Sequence, residues 1–193
     1  MHPSRPLLSR RGRGLRLLLA LLLLLALASV LGCLARPRAV WPTGAFTFGY
    51  APAAVPPWAV PARTMIALVV TSFTLWGASL MLGGERGLGP AAAVSVLGRY
   101  SLLPIIGLFA LPVVRRGLAH LVVVEHGHLV ATGARTTLPW VGVGLVLLYV
   151  FAAVMHLRLF REGCSLSGGR AVLGSLLGFA AAEALCRGVF AMW

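Results

Sequence analysis

Apolar residues are gathered into long runs, and the segments between the runs are rich in Arg, Pro and Gly. Crossing about 30 Å of hydrocarbon takes roughly 20 apolar residues in a helix. Five windows reach that length. They are Leu15 to Ala35, built on the run Leu17 to Leu27, then Thr64 to Leu82, Ala91 to Val114, Pro139 to Leu157 and Ala171 to Trp193. Backbone groups in lipid must pair internally, so each window is predicted to be helical. The predicted fold is an all-α membrane protein, a bundle of five transmembrane helices over about 15–35, 64–82, 91–114, 139–157 and 171–193. A basic cytoplasmic arm over residues 1–14 precedes the membrane domain of residues 15–193. Pro104 removes a backbone donor and should kink the third helix.

The connecting segments carry different signals. Arg36 to Arg63, rich in Pro and aromatics, is expected to be irregular and to lie on or near the membrane surface. Gly84 to Pro90 reads as a tight turn. Leu121 to Thr132 is β-branched and too short to span, and Glu125-His126-Gly127-His128 interrupts it, which suits a small hairpin or an interfacial loop. Arg158 to Arg170 is a polar connector.

Composition changes the picture in one respect. Of 193 residues, 59% are hydrophobic and 11% charged, with seventeen Arg, four Glu and no Lys or Asp. Soluble domains carry roughly 25% charged residues, so a soluble fold is excluded. A formal charge of +13 suggests a nucleic-acid partner until the Arg are mapped. With the N-terminus inside, the inner segments hold Arg5, Arg10, Arg11, Arg13, Arg16, Arg86, Arg158, Arg161 and Arg170. The outer segments hold Arg36, Arg38, Arg63, Arg115, Arg116 and Arg135. Basic residues favour the inner side, so the charge reports topology, not nucleic acid. Trp41, Trp58, Trp140 and Trp193 then fall at the outer interface. The expected location is a bacterial cytoplasmic membrane, N-terminus inside and C-terminus outside, with the lipid bilayer and other membrane proteins as partners. The first window also resembles a signal peptide; a retained signal-anchor helix is the expectation, and cleavage at Cys33 would leave four spans.

Arg99, Glu183 and Arg187 are the ionisable residues deepest in the windows. A charge in hydrocarbon is costly, so it normally faces the bundle and pairs. Glu183 and Arg187 share a helical face at i,i+4. By helical rise Arg99 lies about 12 Å, and Glu183 about 18 Å, from the inner end of its window, a difference a long Arg side chain can bridge. The cluster is read either as an ion pair fixing helix register or as a proton or substrate path. Gly174, Gly178 and Ala182 form a small-residue ridge that lets helices approach closely, packing within the bundle. His126 and His128 share a face of an extended strand, which allows two metal ligands without a closed site, so no metal is expected. His156, near the inner end of the fourth window, is expected to snorkel to the interface. The three cysteines form no redox pair and read as small apolar fillers; the one disulfide the topology permits is Cys33 to Cys186. No nucleophile has a visible base and orienting group, and no phosphate-cradling loop with Lys exists, so neither catalytic residues nor a cofactor are expected.

Three short motifs follow one another along the chain. Leu80-Met81-Leu82-Gly83-Gly84-Glu85 closes one window, and Val94-Ser95-Val96-Leu97-Gly98-Arg99-Tyr100-Ser101-Leu102-Leu103-Pro104 runs through the next. Cys164-Ser165-Leu166-Ser167-Gly168-Gly169-Arg170-Ala171-Val172-Leu173 leads into the last. From Thr64 to Leu185 this resembles the Yip-domain family of small multi-pass proteins, named for Ypt/Rab-interacting proteins. That family shows a Gly-Gly turn, a Gly-Tyr-x-x-x-Pro-like helix and a Leu-Ser-x-Gly-x-Ala-like lead-in to the last helix. Arg99, between Gly98 and Tyr100, departs from the pattern. The resemblance implies a five-helix bundle with a cytosolic N-terminus. Eukaryotic members act in vesicle traffic with Rab GTPases; the N-terminal arm here is short, so Rab binding is not part of the expectation. The function expected is a non-catalytic membrane scaffold or accessory subunit. The competing expectation is a small transporter or permease subunit using Glu183 and Arg99; an enzyme at the outer His cluster comes third.

Overall fold

The computed structural model describes residues 10–34, 40–50, 56, 58–84, 86–114, 122–125, 128–131 and 138–192. The apolar windows are helical: α1 (Arg10–Leu34), α2 (Ala59–Met81), α3 (Leu88–Tyr100), α4 (Leu103–Ala110), α5 (Leu138–Gly163) and α6 (Gly168–Ala191). Among the described residues two small antiparallel hairpins lie between helices in the sequence, β1 (Val40–Pro42) with β2 (Phe48–Tyr50), and β3 (Val122–Glu125) with β4 (His128–Ala131). Among the described residues, four stretches are long and apolar enough to cross a membrane: Ala59–Met81, Leu88–Ala110, Pro139–Gly163 and Gly168–Ala191. In α1 the apolar helix found among the described residues is shorter, Arg16–Val30. The chain is therefore a mostly helical, multi-pass integral membrane protein.

Local chemistry sets where the helices stop. After α2, Gly83 adopts a left-handed φ of 74°. Its N–H donates to Leu80 O at 3.2 Å, and Gly84 N–H donates to Ser79 O at 2.8 Å, which closes the helix in a Schellman turn. The third window is one span broken into α3 and α4 at Ser101-Leu102, with Pro104 in the first turn of α4. The missing proline N–H is harmless at that position, so the break precedes the proline. Residues Thr64, Thr71, Ser72 and Ser175 return their hydroxyls to carbonyls one turn back. Ser95 donates across to Leu68 O at 3.0 Å and ties α3 to α2. Hydroxyls inside apolar helices are thereby satisfied without water.

The centre of the bundle is α2, which packs most extensively against α6 and α3, while α3 also packs on α5. The small-residue ridge of α6 faces inward. A Cβ on Gly178 would stand 2.8 Å from Leu75 Cδ2 and 3.3 Å from its Cα, and one on Gly174 would stand 2.9 Å from both Leu82 and Phe160. Ala182 is fully buried with Ala45, Ala67 and Cys186. In contrast, α5 turns Val143, Leu147, Val150 and Val154 outward, each about half exposed or more. In a bilayer that stripe meets lipid or another helix.

One expectation is overturned by position. Residues 40–50, within the segment between α1 and α2, do not stay at the surface. Hairpin β1–β2 and its turn, Thr43 to Thr47, enter the bundle, where Val40, Pro42 and Ala45 are fully buried. Non-helical backbone at membrane depth is tolerated only where protein or a polar cavity satisfies it. Here Thr43 N–H and Gly44 N–H both donate to Thr47 O, at 2.9 and 3.3 Å, while Phe46 N–H donates to Glu183 of α6 and Pro42 O accepts from Arg63 of α2.

Candidate functional site

Arg63 shows first how the hairpin is held. Although it reads as a loop residue, it lies in the second turn of α2 and is buried. Its guanidinium donates to Pro42 O and Phe190 O, both at 3.2 Å. The same group stacks on Trp41, with Cζ 3.8 Å from the ring centroid, and on Phe190 at 4.7 Å. Phe190 O belongs to the last turn of α6, where carbonyls lack helical partners and a cation is favoured. Arg63 thus binds three elements, β1, α2 and α6, and contributes structure instead of topology alone.

Glu183 holds the other end of the hairpin. Its Oε2 accepts from Phe46 N–H at 2.9 Å. Its Oε1 accepts from Thr47 Oγ1 at 2.7 Å and from Arg187 Nε at 2.7 Å. Gly44 lies so close that a Cβ there would overlap the carboxylate. Glu183 and Arg187 form an i,i+4 ion pair along α6, and the side chain of Arg187 is 63% exposed. The expected bridge from Glu183 to Arg99 is not formed; Glu183 pairs with Arg187 and with the hairpin.

Arg99 stands apart. It is 3% exposed, near the middle of its span, about 16 Å along the helix from Leu88. None of its three guanidinium nitrogens has a hydrogen-bond partner among the described residues. The Phe46 ring is its nearest compensation, with Cζ 5.5 Å from the centroid. Glu183 and Cys186 act on it only through space.

Beside it is His156, which does not snorkel. The residue is 2% exposed and faces the bundle. Its ring packs edge-on against Phe46 and Phe179, at centroid distances of 5.4 and 5.3 Å. Nδ1 lies 2.8 Å from Ala152 O. A carbonyl only accepts, so Nδ1 carries the hydrogen and, in the neutral ring, Nε2 is a bare acceptor. Nε2 also has no partner among the described residues. Gly98 makes this placement possible, since any Cβ there would overlap the imidazole. The glycine before Arg99 is thus explained by the histidine of α5.

The remaining candidates separate from this centre. Cys186 is a free buried thiol in the core, and the side chain of Cys33 lies outside the described residues. His126 also lies outside them; His128 closes the β3–β4 hairpin opposite Glu125. Among the described residues no group of three His, Cys, Asp or Glu could hold a metal. Sequence reasoning found Arg99, Glu183 and Arg187 but missed Phe46, Thr47, Arg63 and Gly98. The alternation Phe46, Phe48, Tyr50 after Thr43-Gly44 is the one signal that pointed to a strand and turn.

The chain matches no protein-family model, no curated protein and no solved structure.

Proposed function

We propose that this is a five-span membrane protein of the Yip-domain type that acts as a non-catalytic scaffold or accessory subunit. The N-terminus lies in the cytoplasm, the C-terminus outside, in the cytoplasmic membrane of a bacterium. The observation that carries the reading is the state of Glu183. Both its carboxylate oxygens are taken by the hairpin and by Arg187, so the acid deepest in α6 serves architecture. A proton or substrate path needs a carboxylate free to change partners. The outward stripe of α5, spaced like one seam of a helix pair, supports contact with a neighbouring membrane helix.

A second reading, a small transporter or permease subunit, is favoured by one observation, the unpartnered guanidinium of Arg99. The two separate experimentally. As a scaffold, the protein solubilised in mild detergent retains other membrane proteins in fixed ratio, and reconstituted vesicles show no flux that depends on Glu183. A protein that purifies with nothing bound, and whose flux is abolished by Glu183→Gln, overturns the scaffold reading.

A further inference from the structure

We propose that Arg99 and His156 form a binding site for a phosphate monoester group, inside the bundle and closed by the Thr43 to Thr47 turn. It stands independently of the scaffold reading, because neither partner binding nor flux enters the argument.

Two polar side chains, each more than nine-tenths buried, present nitrogens that have no partner among the described residues. Both pack on the ring of Phe46, and the His156 imidazole lies against Gly98, the residue before Arg99. A buried charge that stays unpaired is strongly unfavourable, and the acid in reach is already committed to the hairpin. The site therefore calls for an anion. The planar guanidinium offers paired donors that match two oxygens of a carboxylate or phosphate. The second group narrows the choice. With Nδ1–H directed at Ala152 O, Nε2 of the neutral ring can only accept. The ligand must then carry oxygens for Arg99 and an O–H for His156. Hydrogen phosphate and a singly protonated phosphate monoester have both. Sulfate and a phosphodiester carry no O–H on the anionic group, and a simple carboxylate lacks it too. Access requires the turn to lift, because Phe46 covers both residues. That turn is held by side-chain hydrogen bonds from Arg63 and to Glu183 rather than by a helix.

The full chain in a phosphate-free, non-ionic detergent is titrated by equilibrium dialysis with inorganic phosphate. In parallel micelles it is titrated with phosphatidic acid, a monoester lipid, and with phosphatidylglycerol, a diester. Saturable binding of one phosphate per chain supports the site; binding of phosphatidic acid alone identifies a lipid headgroup as the source. Sulfate and phosphatidylglycerol should bind about tenfold more weakly or worse. Arg99→Met should abolish binding while the melting midpoint holds or rises, since it removes an unpaired buried charge. Arg99→Lys keeps the charge without the fork and should bind about tenfold more weakly. His156→Phe should erase the preference for phosphate over sulfate. Four outcomes overturn the proposal: no saturable binding of either inorganic phosphate or phosphatidic acid, equal binding of sulfate, Arg99→Met binding like the parent, or a fall in the melting midpoint of Arg99→Met, which would make Arg99 structural.

Discussion

Replacement of Glu183 by alanine should free the turn between β1 and β2 while leaving the helices in place. The carboxylate is the acceptor for three donors, Phe46 N–H, Thr47 O–H and Arg187 Nε. A buried donor left without its acceptor costs about 1–3 kcal/mol. Measured side-chain bonds inside membranes average lower, about 0.6 kcal/mol, because the opened state also finds partners. The Arg187 contact adds only about 0–1 kcal/mol, since that side chain is mostly exposed. The sum for the turn is about 2 kcal/mol, or roughly 30-fold in its opening equilibrium. Glutamine should give a smaller loss. If its oxygen replaces Oε2, its NH2 faces the Arg187 donor; if it replaces Oε1, its NH2 faces Phe46 N–H. One donor is opposed either way, at about 1 kcal/mol. The assay is amide hydrogen exchange in nanodiscs, read on peptides covering residues 43–47, with the middle of α2 as reference. Faster exchange at the turn with an unchanged α2 is the expected result. Exchange at the turn that stays the same in Glu183→Ala would refute the assignment of Glu183 as its lock.

Two further variants probe the same architecture. Gly178→Val should push α6 off Leu75 and lower stability by about 1–3 kcal/mol, read as a lower unfolding midpoint in detergent; an unchanged midpoint would show that the two helices are not in close contact there. Arg63→Met should cost about 2 kcal/mol through lost bonds to Pro42 O and Phe190 O, and the emission of Trp41 should change as its stacking is lost. If melting and fluorescence both match the parent, Arg63 does not join the hairpin to α6.

The helices were legible because hydrocarbon imposes a single requirement, a long apolar run, and the chain writes it plainly from Thr64 onward. Pro104 likewise announced the break between α3 and α4, since proline is tolerated in the first turn of a helix and not in its interior, which places the break just before it. The ridge Gly174, Gly178 and Ala182 was readable as a periodic feature of one helix, although its partner, Leu75, was not. What the sequence concealed are the contacts made across the chain. Glu183 meets Phe46 and Thr47 at separations of 137 and 136 positions, and no local pattern encodes such a pairing. The short hairpin was masked by Pro42 and by the prolines that flank it in the sequence, which read as irregular surface chain. Arg63 reads as an outer-loop residue because it falls just before the apolar window that opens at Thr64, and His156 as an interfacial one because a polar residue near a helix end usually snorkels. Both instead turn inward, one because backbone carbonyls of β1 and α6 await it, the other because Gly98 leaves room.

The hairpin β1–β2 enters the membrane domain and docks on α6, and thiol cross-linking tests this most directly. Ala45 is fully buried in the same packed cluster as the free Cys186. In membranes, a chain carrying Ala45→Cys with Cys33→Ala and Cys164→Ala should be joined internally to Cys186 by a short bifunctional thiosulfonate, and should resist a membrane-impermeant maleimide. Rapid labelling by the maleimide with no internal cross-link would place the turn at the membrane surface and contradict the account.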